Sequence, residues 1–159
     1  MYEGDWVKGL RHGKGIETFS DGSQYEGLFK DGEKNGAGVR TFPDGSTYNG
    51  GWVKNLMQGQ GTYNWADGKH YKGYWYNNNM HGFGVFTWKD GRIYEGDFKG
   101  DKKHGTGTMT WPDGKIYTGD WKYGKQDGKG KIKSKKSDWI RGVWEAGKKV
   151  RTIEEDKEL

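Results

Sequence analysis

Glycine pairs in this chain have the spacing found in phosphate-binding loops. Residues 94–114 read YEGDFKGDKKHGTGTMTWPDG, in which Gly105 and Gly107 are separated by one residue. A phosphate cradle needs a glycine-rich loop that leads into the N-terminus of a helix. Here the pair recurs six times, and it precedes a short alternating run that is typical of a β-strand. The glycines are therefore predicted to serve packing and not to bind a phosphate.

Three histidines, His12, His81 and His104, are candidate metal ligands because they occupy equivalent positions in a repeated pattern. Equivalent residues of adjacent repeats would lie two strands apart, about 10 Å at ~4.8 Å per strand. Zinc ligands must all lie about 2 Å from one ion. Asn35, Gln58 and Asp127 fill the same position in other repeats. We interpret these histidines as turn residues and predict no metal site.

Recurring Asp-Gly pairs supply one carboxylate per repeat. Calcium takes six or more oxygen ligands within about 2.6 Å, so one carboxylate per hairpin is too few. Asp-Gly is favoured in tight hairpin turns that need positive φ, and this is the predicted role of the pairs. The aspartates are Asp21, Asp44, Asp67, Asp90 and Asp113. No carboxylate pair or Ser/His/Asp set stands out from the periodic background, so we expect no catalytic residue, no cofactor and no enzyme activity.

Composition bounds the kind of protein further. The chain has 159 residues with 30 Gly, 9 Trp and 10 Tyr, so its core must be built from aromatic rings packed over glycines. Glycine disfavours helix interiors by about 1 kcal/mol relative to alanine. With no cysteine and no long apolar stretch, the chain has no disulfide, signal peptide or membrane span by sequence. We expect a soluble, cytoplasmic protein.

The elements that carry these residues repeat every 23 residues. A tyrosine begins each unit, a glycine follows two residues later, and Trp or Phe follows after two more. The tyrosines are Tyr2, Tyr25, Tyr48, Tyr71, Tyr94 and Tyr117, and Ile140 takes the next position. Such self-similarity is the signature of a repeat architecture.

Each unit is predicted to form a β-hairpin, since Tyr-x-Gly-x-Trp alternates with the period of a strand. The predicted fold is all-β: one elongated, twisted antiparallel sheet of about 13 strands, a solenoid-like rod. Residues 2–139 make six repeats, 140–151 a half repeat that caps the rod, and 152–159 an acidic tail. Its structural core is predicted to contain Tyr25, Tyr48, Tyr71, Tyr94, Tyr117, Trp52, Trp75, Phe98 and Trp121.

The pattern Tyr-Glu-Gly-Asp-Trp, then His-Gly-Lys-Gly, then Phe-Ser-Asp-Gly resembles the MORN (membrane occupation and recognition nexus) repeat. The resemblance implies a rod of stacked hairpins that acts as a scaffold in cytoskeletal, ciliary or flagellar assemblies. It also implies two other roles, as a membrane-associated organiser or as an appendage of an enzyme such as a lipid kinase. The choline-binding repeat of bacterial surface proteins is similar, but its period and its Gly-Trp-led pattern differ.

Repeat six departs from the pattern, because Ser134 replaces the aromatic residue and Lys136-Ser137 replaces Asp-Gly. A strand at Lys129, Lys131, Lys133 and Lys135 would project all four side chains from one face. One interpretation is a solvated cap that protects the sheet edge. The other is a patch for an anionic partner, such as a phosphoinositide-rich membrane or an acidic protein, formed by Lys129, Lys131, Lys133, Lys135 and Lys136. Nucleic acid is the less favoured partner.

The two ends of the sheet are further candidate surfaces. Unpaired edge strands, predicted near residues 2–6 and 140–145, can pair with another chain, so an edge-mediated homodimer is plausible. The tail RTIEEDKEL is predicted to be a short helix or extended, and its acidic cluster could fold back on the lysine strand. The function that we expect is a non-catalytic scaffold for protein–protein interaction. The alternatives are a peripheral module for anionic phospholipids and a targeting appendage of an enzyme.

Overall fold

The computed structural model of this protein describes residues 1–154, which form one open antiparallel sheet and no helix. Its fourteen strands lie side by side in chain order. They are β1 (Tyr2–Val7), β2 (Leu10–Thr18), β3 (Gln24–Lys30), β4 (Glu33–Thr41), β5 (Thr47–Val53), β6 (Leu56–Asn64), β7 (His70–Tyr76), β8 (Asn79–Thr87), β9 (Ile93–Lys99), β10 (Lys102–Thr110), β11 (Ile116–Lys122), β12 (Lys125–Lys133), β13 (Ile140–Glu145) and β14 (Lys148–Thr152). The all-β repeat sheet predicted from the sequence is confirmed.

Two kinds of turn alternate along the sheet. Within each repeat the strands are joined by a two-residue turn in which both residues have positive φ, as at Asn77 (44°) and Asn78 (68°). Such a turn matches the right-handed twist of the flanking strands. Most of these turns place Gly or Asn at the second position, where left-handed backbone costs least.

The Asp-Gly pairs form the wider turns between repeats, and positive φ falls on the glycine alone. The aspartate caps the turn, since its Oδ1 accepts the backbone N–H two residues later. In repeat two, for example, Asp44 accepts the N–H of Ser46 at 2.8 Å. These hydrogen bonds hold the pKa of the Asp44 carboxyl below its ordinary value.

Two local expectations differ from the structure, and the first concerns the histidines. His12, His81 and His104 lie within β2, β8 and β10, so the prediction that they are turn residues is wrong. The hairpin turn takes only two residues. The second strand of each hairpin therefore begins before the histidine, within the polar segment that the sequence suggested was a turn.

The sheet also has a fourteenth strand, so residues 140–145 are not its edge. Arg151 and Thr152 of the tail belong to β14, which pairs with β13 and forms the last strand among residues 1–154. Those two residues are extended and not helical. Residues 155–159, which hold most of the predicted acidic cluster, lie outside the described residues, so its fold-back on the lysine strand stays a prediction.

Tyrosine rings pack over a continuous row of glycines, as predicted. Gly73 faces Gly84 across β7 and β8, and the Tyr71 ring covers both Cα atoms. The Tyr71 hydroxyl donates to the Tyr74 carbonyl at 3.0 Å, which satisfies its hydrogen bond inside the core. The same arrangement recurs in the other repeats.

Edge-to-face contacts between rings link each repeat to the next. Tyr71 meets Trp75 of its own strand with the ring centroids 5.3 Å apart, and it meets Phe98 of the following repeat at 5.1 Å. Aromatic rings prefer this perpendicular geometry. Each tyrosine thus buries the aromatic residue of the next repeat, and the nine predicted core residues are all buried.

Candidate interaction surfaces

The sheet presents two faces because side chains alternate along each strand. The core face carries the tyrosine and Trp/Phe rows, and no second layer of residues 1–154 covers it. The outer face carries the intervening residues, which are mostly polar and exposed. The central rows of the core face are buried, so a binding partner can reach its partly buried border and the exposed side chains of the outer face.

A row of half-buried indoles borders the core face. Trp65, Trp88 and Trp111 pack against the aromatic core at the wide turns, one in each of three successive repeats. Trp65 and Trp88 both contact Phe86 of β8, with centroid distances of 5.3 and 4.4 Å. All three residues are partly buried, so this row extends the core toward solvent.

A groove of about 330 Å³ lies beside this row and is centred on repeats four and five. Its apolar walls include Trp65, Phe86, Trp88 and Phe98, and Lys103 of β10 also lines it. The charged residues Lys69, Asp101 and Lys102 line it as well. A groove that combines apolar walls with a few charged groups suits a ligand side chain better than bulk water.

Cations lie over the indoles. The guanidinium of Arg92 lies 4.8 Å from the centroid of Trp88, and the ammonium of Lys115 lies 4.2 Å from that of Trp111. Arg92 also pairs with Asp90 at 2.8 Å. Such contacts hold the long side chains along the rings.

Lys103 differs from these rim cations because it is withdrawn from solvent. Its ammonium lies among the rings of Trp88, Tyr94 and Trp121, at 5.4, 5.9 and 5.1 Å from their centroids. Burial, with a smaller contribution from Arg92, lowers the pKa of Lys103. Cation–π contacts hold an ammonium group but leave its charge unneutralised.

The lysine patch predicted in repeat six is divided between a strand and a turn. Lys129, Lys131 and Lys133 alternate along β12 and share the outer face. Lys135 and Lys136 follow the end of β12 and occupy the wide turn. The strand ends at Lys133, so it does not project Lys135 from the same face.

Two arginines from other strands lie on the outer face beside these lysines. Arg141 of β13 lies opposite Lys131 of β12 in the strand register. Val143 of β13 lies opposite Lys129 on one side and opposite Arg151 of β14 on the other, so Arg151 is in line with Lys129. We call Lys129, Lys131, Lys133, Arg141 and Arg151 the outer basic patch. Sequence reasoning missed both arginines, since only the register of three strands brings them beside the lysines.

Trp139 packs with the outer basic patch. The ammonium groups of Lys131 and Lys133 lie 4.6 and 4.9 Å from its ring centroid, and the side chain is 39% exposed. An exposed indole among cations is suited to contact with an amphipathic surface. One cue to this residue is visible in the sequence, namely the change of turn type just before it.

Neither a metal cluster nor a membrane-spanning helix is found within residues 1–154. The structure does not bring three or more His, Asp or Glu side chains together as a metal site there. No helix in that range is long and apolar enough to cross a membrane. The histidines lie apart in the sheet, and the His104 Nδ1 atom accepts the backbone N–H of Tyr123 at 3.4 Å.

One solved structure has a similar fold over most of this chain. A zebrafish (Danio rerio) structure, the TCP10 domain of CPAP in complex with a STIL peptide, is 16% identical with a TM-score of 0.52. The match covers 89% of this chain and 64% of that chain, so this chain spans less than two thirds of the zebrafish one. The Drosophila melanogaster SAS-4 TCP domain, solved with a proline-rich motif of Ana2, is 16% identical over 82% of this chain and 83% of its own, with a TM-score of 0.41.

Sequence comparison identifies the family. No curated protein matches the chain. The model of the MORN repeat matches six times, over residues 2–24, 25–47, 48–70, 71–91, 94–116 and 117–139. These matches follow the hairpin units of the sheet and span most of the sequence, and MORN repeats are usually non-catalytic modules. The chain therefore belongs to the MORN repeat family.

Proposed function

We propose that this protein is a non-catalytic repeat scaffold that binds protein partners on its sheet. The observation that carries the proposal is the row of half-buried indoles along the border of the core face, Trp65, Trp88 and Trp111. Monomeric proteins rarely leave such apolar surface exposed without an interaction to use it. The zebrafish TCP10 domain, whose structure contains a bound peptide, supports a sheet of this kind as a peptide-binding platform.

The assembly that the scaffold serves is proposed from its family. MORN repeat proteins are found in cytoskeletal, ciliary and flagellar structures, and a stiff sheet of identical units suits such structures. The experiment is affinity purification from cell extract with the wild-type chain and with a variant in which Trp65, Trp88 and Trp111 are replaced by serine. Cytoskeletal or axonemal proteins should be retained by the wild type and lost by the variant, with circular dichroism showing that the sheet is intact.

A charge variant of the outer basic patch serves as the control in that purification, because it leaves the core face unchanged. If the indole variant retained the same proteins as the wild type, the core face would not be the binding surface. If the wild type retained no protein beyond those bound by bare resin, the scaffold function itself would be wrong.

A second candidate function is binding to anionic phospholipid. It is favoured by the five cations of the outer basic patch, which three adjacent strands place on one face beside Trp139. Each basic residue close to an anionic membrane surface contributes about 1 kcal/mol, and salt screens this attraction. Co-sedimentation with phosphatidylserine vesicles should therefore fall steeply between low and high salt.

The lysines predicted from the sequence provide the variant for this test. Reversal of charge at Lys129, Lys131, Lys133, Lys135 and Lys136 should abolish co-sedimentation at low salt. The matched control reverses five exposed lysines that are scattered over the sheet, Lys14, Lys30, Lys72, Lys99 and Lys102. Equal vesicle binding by both variants would rule out a specific patch.

Self-association through a sheet edge is a third, compatible property. Trp6 of β1 is 58% exposed, whereas the equivalent residues of later repeats are 2–6% exposed because a preceding tyrosine covers them. A second copy of the chain could cover Trp6 by pairing with β1. Light scattering should then give a mass that rises with concentration for the wild type and not for Trp6→Lys. A mass that stays monomeric at millimolar concentration would exclude this pairing.

A further inference from the structure

Lys103 places a cation where the two preceding repeats have an apolar side chain. The equivalent positions of the two preceding repeats hold Met57 and Met80, and both of these side chains are buried against the aromatic core. At Lys103 the chain instead places a partly buried ammonium group between Trp88 and Trp121. A partly buried charge costs free energy unless a counter-ion is present.

Lys34 shows how this chain neutralises a lysine at that position. The Lys34 ammonium lies 3.9 Å from the carboxylate of Glu17, which projects from the same face in the preceding repeat. The residue equivalent to Glu17 beside Lys103 is Phe86, an apolar ring. Within residues 1–154, no carboxylate lies within ion-pair distance of the Lys103 ammonium.

Three other charged groups around the groove already have partners. Asp101 also lines it, and its Oδ1 accepts the backbone N–H of Met80 at 2.8 Å. Arg92 and Lys69 are paired with Asp90 and Asp67, at 2.8 and 3.2 Å. Lys102 and Lys103 are thus the cations of the groove lining that lie in no ion pair within residues 1–154, and Lys103 is the one set among the rings.

We propose that the groove of repeats four and five binds an extended peptide segment through an Asp or Glu side chain whose carboxylate pairs with Lys103. This inference rests on the proposed scaffold function and deepens it, since it names the chemistry of the partner. An apolar side chain next to the acid packs against Trp65, Phe86 and Trp88. The open face requires an extended segment, because strands β8 to β10 leave a shallow groove and no enclosed cavity.

Charge complementarity decides the partner. A desolvated ammonium between rings attracts a carboxylate and repels a basic segment, and the like charge of Arg92 strengthens both effects. Displacing water from the apolar walls adds affinity that is independent of charge. The pairing and the apolar contact together select a segment in which acidic and apolar residues are adjacent.

The test is selection of random 12-residue peptides displayed on phage, with the wild-type chain and Lys103→Met as parallel baits. Methionine is the residue that the chain itself uses at positions 57 and 80, so Lys103→Met is compatible with the fold. Phe83→Ala, on the exposed outer face, is the control bait. The strongest wild-type peptide is then synthesised and titrated calorimetrically against all three proteins.

We expect the wild-type and Phe83→Ala baits to select peptides with an Asp or Glu beside an apolar residue. Lys103→Met should lose this enrichment and bind the synthetic peptide at least tenfold more weakly. Peptides without acidic enrichment, or equal affinity for Lys103→Met, would overturn the inference and leave the scaffold function standing. Saturable, Lys103-dependent binding of inorganic phosphate with no peptide binding would also overturn it, because the site would then take a small anion. If, in addition, the wild-type chain retained no protein from cell extract beyond those bound by bare resin, the scaffold function would be wrong as well.

Discussion

The ring of Tyr71 lies directly on Gly84 of the neighbouring strand, so closely that a Cβ atom at Gly84 would overlap the ring and its hydroxyl oxygen. Tyr71 is fully buried, and its hydroxyl is held by the Tyr74 carbonyl. Neither partner can move without breaking that bond or the edge-to-face contacts with Trp75 and Phe98. The glycine is therefore required for space, and not for backbone conformation.

Replacement of Gly84 by alanine should destabilise the sheet by about 3 kcal/mol, since overpacking of a fixed core is costly. The matched control is Gly45→Ala, where a Cβ would meet no atom within 4 Å and only the φ of 90° is unfavourable. We expect the control to cost about 1 kcal/mol. Urea unfolding followed by tryptophan fluorescence measures both. Equal losses would show that space over the tyrosine is not what requires Gly84.

Asn78 should stabilise the contact between repeats three and four. Its φ is 68°, and its Oδ1 accepts the backbone N–H of Met57 at 2.8 Å. Asn78→Gly keeps the conformation but loses the hydrogen bond, so the free energy of unfolding should fall by about 1 kcal/mol.

Asn78→Asp is the conservative control, because Asp101 makes the equivalent bond to Met80 in the next repeat. Its free energy of unfolding should stay close to that of the wild type. A loss as large as that of Asn78→Gly would show that the hydrogen bond is not the stabilising feature.

The buried tyrosines should make the fold sensitive to alkali. Burial raises the pKa of Tyr25 and Tyr117 to about 12, and it also raises the pKa values of Tyr48, Tyr71 and Tyr94. A phenol whose pKa is higher in the folded chain than in the unfolded chain stabilises the fold. This contribution is fully present at pH values below the unfolded pKa, which is near 10. That stability is lost as the pH rises through about 12.

Absorbance at 295 nm and far-ultraviolet circular dichroism, recorded from pH 9 to 13, should show a steep ionisation step that coincides with loss of the sheet. Tyr71→Phe removes one ionisable phenol, so its loss of stability per pH unit above pH 10 should be smaller. If every tyrosine ionised near pH 10 while the sheet persisted, burial would not control the titration.

Lys103→Met should stabilise the free protein by about 1 kcal/mol, because it removes a desolvated cation without a carboxylate partner. Lys34→Met is the informative comparison. This substitution leaves Glu17 without the Lys34 ammonium, so the stability of the fold should stay the same or decrease. Thermal unfolding of both variants measures the difference. A destabilised Lys103→Met would mean that the cation–π contacts outweigh desolvation.

Much of the fold follows from the sequence because the 23-residue period leaves little freedom. Tyr-x-Gly-x-Trp fixes a strand face by alternation, and five consecutive copies of the buried tyrosine fix the order of hairpins. The turn boundaries were less predictable, as His12, His81 and His104 show. The twist of the flanking strands sets these two-residue turns with positive φ. The residue types at the first turn position, such as Lys8, Lys54 and Ala146, do not indicate a turn in the sequence.

The sequence alone determined the repeat, the sheet and the aromatic-on-glycine core, because each follows from contacts that recur at a fixed spacing. Only the tertiary structure decided what lies beside what at the irregular positions. Register across three strands places Arg141 and Arg151 with the lysines of β12, and Lys135 falls in a turn. The contrast between Lys34 beside Glu17 and Lys103 beside Phe86 likewise appears only when neighbouring strands are paired, because a counter-ion is a neighbour in space and not in sequence.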